Sequence, residues 1–145
     1  MRIEAWMKHP VHVVKPRDSI RHARELMELH RVNQLPVVVD GRVVGIVTDR
    51  DLRDAFPSVF PTAADGEQGQ PDPDDIPVED AMSANVMALG PKDAMADAAR
   101  LMRRERIGAL PIVEGRKLVG ILARSDVLDA FVEVLEEAHR ARTTR

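Results

Sequence analysis

Cysteine is absent from these 145 residues, and with it go disulfides, thiolate nucleophiles and cysteine metal sites. Tyrosine is absent too, and aromatics make up only 3 % of the chain, which leaves little on which unpaired bases could stack. No apolar run has the length needed to span a bilayer, and the first residues lack the pattern of a secretory signal. Lysine and arginine are missing from residues 57–80, where seven acidic side chains gather. Against a net charge of −3, that block leaves a balance of +4 on the rest of the chain. A mildly basic remainder suits a small anionic ligand better than a long polyanion. Nucleic-acid binding and membrane insertion are therefore not expected, and the chain is read as cytoplasmic.

What is present is a repetition. Residues 7–56 and 82–131 align without a gap at an offset of 75, with 18 of 50 positions identical. Leu35-Pro36-Val37-Val38 returns as Leu110-Pro111-Ile112-Val113, and Val44-Gly45-Ile46 returns as Val119-Gly120-Ile121. Met7, Pro16, Asp18, Asp51 and Phe56 recur as Met82, Pro91, Asp93, Asp126 and Phe131. A repeat of this length is a duplicated supersecondary module. Two copies are too few for a solenoid, so the halves are expected to pack about a pseudo-two-fold axis. At about 50 residues each half is marginal alone, which argues for one compact body.

Each copy reads as strand, helix, strand, strand, helix, an α+β arrangement of the α/β type. The first copy predicts a strand over Val11–Val14, then a helix capped by Asp18 and running to His30. A buried strand over Leu35–Val39, a turn at Asp40-Gly41 and a return strand over Arg42–Val47 follow. Thr48 and Asp49 are candidate caps for a helix over Arg50–Phe56. The second copy predicts strands over Val86–Leu89, Leu110–Val113 and Lys117–Leu122. Its helices cover Ala94–Glu105, with Asp93 as cap, and a stretch starting at Asp126. That last helix carries Leu128, Phe131, Val132, Leu135 and Ala138 along one side, to face either a partner subunit or its own core.

The expected division is a first module at 1–56, an acidic proline-rich linker at 57–79, a second module at 80–132, and a helix extension with tail at 133–145. Five prolines in 57–77 mark the linker as an exposed tether, with Ser58-Val59-Phe60 docked at its start.

The chemistry concentrates in Gly45-Ile46-Val47-Thr48-Asp49-Arg50-Asp51-Leu52. A buried strand ends in a hydroxyl, and a carboxylate follows three residues later in the first turn of a helix. Thr48 and the free N–H groups of that turn suit a phosphate, and Asp51 suits a vicinal diol such as ribose. The same pattern also describes a plain Thr/Asp helix cap. The second copy, Gly120-Ile121-Leu122-Ala123-Arg124-Ser125-Asp126, keeps the aspartate and loses the hydroxyl, so the two sites are expected to be unequal.

This doubled layout resembles a tandem pair of cystathionine-β-synthase (CBS) domains, a Bateman module, over almost all of both repeats. Within that family, Thr48–Leu52 followed by Pro57–Phe60 is similar to the acetoin-utilisation accessory protein B group, without the additional C-terminal domain often found there. The resemblance implies adenine nucleotides (AMP, ADP or ATP) or a related adenosyl ligand, bound in clefts between modules. It implies one site that pairs Thr48, Arg50 and Asp51 with Val86, Ala88, Ile107 and Gly108. It implies a second that pairs Arg124, Ser125 and Asp126 with Val11, Val13, Val32, Asn33 and Gln34. Gly108 and Ala109 stand where some relatives carry basic residues, which argues against a tightly held triphosphate at the first site.

No other constellation competes. The histidines lack a third ligand at metal spacing, and the serines lack a base partner, so neither a metal centre nor a catalytic set is expected. The reading is a regulatory nucleotide-sensing module with no required cofactor, homodimeric, acting on a downstream protein that the sequence does not name. The alternative is a ligand-free adaptor that assembles through the same helices.

Overall fold

In the computed structural model, residues 1–56 and 72–144 are described, and the expected docking of Ser58-Val59-Phe60 lies outside them. The chain divides into two compact units, His12–Val86 and Met1–Val11 with Met87–Arg145. The repeat suggests a division at 56 and 80, but the spatial units change over at 11/12 and 86/87. Residues 1–11 thus belong with the second repeat, and residues 76–86 with the first.

In the first-repeat unit, α1 (Ile20–His30) is followed by β1 (Gln34–Val39) and β2 (Arg42–Thr48), then α2 (Asp49–Ala55) and the single turn α3 (Val78–Ala81). Ile20, Ala23 and Met27 recur at helical spacing and form the buried face of α1. Its C-cap, Arg31, takes the left-handed conformation that closes a helix, and its N–H donates to the Met27 carbonyl. β1 and β2 form an antiparallel hairpin through Asp40 and Gly41, both at positive φ, as a two-residue turn of this hand requires. Pro36 is tolerated inside β1 because only its carbonyl is needed there, accepting from the Val14 N–H at 3.1 Å. The core joins Val14, Ile20, Met27, Leu35, Val37, Val47, Leu52 and Val78. Val78 and the partly buried Ile76 come from the end of the stretch read as linker. Arg21 holds the start of that packed stretch, reaching Asp74 at 2.8 Å and Asp72 at 3.7 Å.

The second-repeat unit copies this plan with α4 (Met95–Glu105), β3 (Ala109–Glu114), β4 (Lys117–Ala123) and α5 (Arg124–Thr143). Both hairpins carry an irregularity at the same place, between Val37 and Val38 and between Ile112 and Val113. Ile3 is fully buried in this core with Met95, Met102, Leu110, Ile112, Leu122 and Ala130, and Trp6 and Met7 pack against it.

Two local expectations are corrected. The strands expected at Val11–Val14 and Val86–Leu89 reduce to single parallel bridges, Val14 with Val37 and Leu89 with Ile112. Each follows a segment that has already paired elsewhere, so no longer ladder forms. Asp18 and Asp93 are not helix caps. The Asp18 carboxylate accepts the Lys15 N–H at 2.8 Å and that of Asp93 accepts the Gly90 N–H at 2.7 Å, tightening the turn before each helix. Ser19 caps α1 instead, accepting from the His22 N–H at 3.1 Å, and Ala94 at the start of α4 offers no side-chain cap.

Candidate functional site

Thr48 ends β2 in an extended conformation, and its side chain enters the first turn of α2. The Thr48 hydroxyl oxygen accepts the Asp51 N–H at 3.0 Å, and one Asp51 carboxylate oxygen accepts the Thr48 N–H at 2.9 Å. This reciprocal pair is a capping box, so the cap reading of these residues is correct as far as it goes. It does not exhaust them. The Thr48 hydroxyl proton and the second Asp51 oxygen have no hydrogen-bond partner among the described residues. Both residues are half-buried, and Arg50 is exposed beside them. The Asp49 carboxylate accepts the Arg50 N–H at 2.9 Å and pairs with Arg53 at 3.3 Å.

The lead-in to β1 lies against this turn. The Asp49 N–H donates to the Asn33 carbonyl at 2.9 Å, and Gln34 pairs with Thr48 across the hairpin. Within one unit, then, Asn33 and Gln34 neighbour Thr48–Asp51, with exposed Val32 preceding them. Val13 and Val86, from the same unit, are half-buried.

The second-repeat unit repeats the contact with different chemistry. The Arg124 N–H donates to the Gly108 carbonyl at 2.8 Å, so Ile107 and Gly108 lie at the start of α5 as Val32 and Asn33 do at α2. Ala123 is extended like Thr48 but has no side-chain acceptor, so only half of the box forms: the Asp126 carboxylate accepts the Ala123 N–H at 2.7 Å. Ser125 is exposed, and Arg124 lines a cavity of about 250 Å³ with Arg103, Met102 and Leu128. Asp126 is 3 % exposed, whereas Asp51 is half-buried. Val11 and Ala88 belong to this unit and are half-buried.

Nothing in the local pattern of residues 1–11 marks Lys8 for this region. Its ammonium lies 3.1 Å from the Asp126 carboxylate, on the oxygen that Ala123 does not use. The backbone of Lys8 is held by two hydrogen bonds to Ile121, each 2.9 Å. The repeat itself carried the available signal, because Lys8 aligns with Ser83, and Ser83 makes the same two backbone bonds to Ile46 at 2.9 and 2.8 Å. No group of three metal-binding side chains occurs among the described residues.

A family model described as CBS domain matches residues 3–58 and again 78–133. The CBS domain-containing protein YhcV of Bacillus subtilis is 36 % identical over 125 residues, covering 86 % of this chain and 81 % of that one. The crystal structure of AcuB from Vibrio cholerae superposes with a TM-score of 0.77 at 25 % identity, covering 97 % of this chain and 96 % of that one. The crystal structure of CBSX2, an Arabidopsis thaliana protein, in complex with AMP gives a TM-score of 0.75 at 30 % identity. It covers 92 % of this chain and 97 % of the other.

Proposed function

The chain belongs to the CBS domain family, and from that premise we propose that it is a regulatory module that senses an adenine nucleotide rather than an enzyme. The observation that carries this reading is the open valence at the Thr48–Asp51 turn. A carboxylate oxygen and a hydroxyl proton, both left over from a capping box, stand beside the N–H groups of a helix start. Asp51 would accept from a ribose diol, while Thr48 and Arg50 would meet the phosphate. The AMP complex of CBSX2 supports this ligand class, which covers AMP, ADP, ATP and related adenosyl compounds. Occupancy would bias the conformation that a downstream protein reads.

Thermal unfolding with AMP, ADP, ATP, S-adenosylmethionine and NAD tests the reading. A ligand at 100 times its Kd should add about 2.7 kcal/mol of stability. Asp51→Ala should weaken binding by about 1.5–3 kcal/mol, the range for a hydrogen bond to a charged group. Its fold should lose only about 1 kcal/mol, the worth of a cap. If no compound in the panel shifts the transition, the nucleotide reading fails and the adaptor remains.

The same chain would act as a homodimer. Leu128, Phe131, Val132 and Leu135, spaced as one helix face, are each at least 50 % exposed on α5. That stripe is not folded onto its own core, where α5 contributes Ala130 and the partly buried Val127. A second copy offers a matching apolar face about a two-fold axis.

A further inference from the structure

We infer that Lys8 is a built-in counter-ion that closes the Asp126 half-site to a ribose diol and leaves Asp51 as the aspartate that takes the nucleoside. This rests on the nucleotide reading and names which of the two copies performs it. A carboxylate recognises a vicinal diol by accepting from both hydroxyls, so it must arrive with acceptor capacity and charge unspent. Both oxygens of Asp126 are already engaged, and its charge is paired. One oxygen takes the Ala123 N–H at 2.7 Å, and the other takes the Lys8 ammonium at 3.1 Å. Only 4 % of the Asp126 side chain is exposed while Lys8 reaches it from the surface with 67 % of its side chain exposed, so a diol would have to displace this charge-assisted contact to reach the carboxylate.

The repeat supplies its own control. Ser83 occupies the position of Lys8 in the first copy, with its backbone tied to Ile46 as that of Lys8 is tied to Ile121. Two backbone hydrogen bonds set where each side chain begins, so at this position the copies differ in the side chain and not in the backbone. A four-carbon stem and an ammonium reach Asp126, but a serine hydroxymethyl brings Asp51 no charge. Asp51 accordingly has no cationic partner among the described residues. The closed half-site is also the cationic one, with Lys8, Arg124 and Arg103 in a single unit. Lys8 there opposes the requirement for a free acceptor, since its ammonium already pairs with the one carboxylate.

Exchange of the two residues tests the inference by calorimetric titration with AMP. The parent chain is expected to bind one equivalent per chain. Lys8→Ser should add a second equivalent, with a Kd within about tenfold of the first. Because that variant leaves Asp126 buried without its partner, Ser83→Lys provides an independent arm on an exposed position. It should weaken the single parent site at least tenfold while leaving the thermal transition in place. The inference is overturned if Lys8→Ser titrates as the parent does, or if Ser83→Lys binds AMP as the parent does. Absence of AMP uptake by both the parent and Lys8→Ser overturns the nucleotide reading instead, and uptake that appears only in Lys8→Ser overturns the assignment of the nucleoside to Asp51.

Discussion

A Cβ placed on Gly45 would stand 2.5 Å from the Met82 sulfur and 3.0 Å from the Ser83 carbonyl oxygen. The first residues of the second repeat thus pass so close to β2 that a side chain at Gly45 would have to displace them. Gly120 meets Met7 in the same way, at 2.6 Å from its sulfur, but the Lys8 carbonyl there is 3.3 Å away. Gly45→Ala should therefore cost about 1–3 kcal/mol, as overpacking does, and more than Gly120→Ala. A methionine tail can swing aside, whereas the Ser83 backbone is pinned by Ile46. Urea denaturation of both variants checks the order, and equal losses would contradict it.

The caps give a prediction that involves no ligand. Thr48→Ala removes the acceptor for the Asp51 N–H and should destabilise by about 1 kcal/mol. Ala123→Thr should complete the half-formed box on α5 and stabilise by a similar amount, because the backbone at 123 already has cap geometry, with φ −96 and ψ 162. Thermal unfolding should move in opposite directions for the two variants.

Ile3 tests where the N-terminal segment belongs. It is wholly buried among second-repeat residues, so Ile3→Ala should cost about 2–5 kcal/mol. Amide exchange should accelerate first in residues 95–122. Acceleration confined to 20–52 would place the segment with the other unit.

The exposed stripe on α5 is tested by mass. Phe131→Glu with Leu135→Glu should give the 16.1 kDa monomer in light scattering, while the parent runs at twice that mass. A monomeric parent at micromolar concentration would leave the stripe unpaired and refute the homodimer.

Much of the fold was legible because it is local. The hairpin at Asp40-Gly41, the buried strands, and the helices from Ile20 and Met95 follow from periodicity and turn chemistry within a few residues. The Thr48–Asp51 pair was legible too, since a cap spans only three residues. The repeat fixed the family and the inequality of the two copies, because Thr48 against Ala123 is visible in an alignment. It fixed neither the partner of Ile3 nor that of Val78.

Those partners depend on contacts far apart in the chain. Ile3, Lys8 and Met7 close on residues more than 85 positions away, and nothing in the local pattern of 1–11 distinguishes a lead-in to the first repeat from a piece of the second. For the same reason the outer strands became single bridges, and Asp18 and Asp93 bind turns rather than caps. Sequence determined that two aspartate-bearing helix starts exist and that they differ. Tertiary structure decided which aspartate is free, because a charge is neutralised by whatever cation the fold brings within about 3 Å, however distant in sequence.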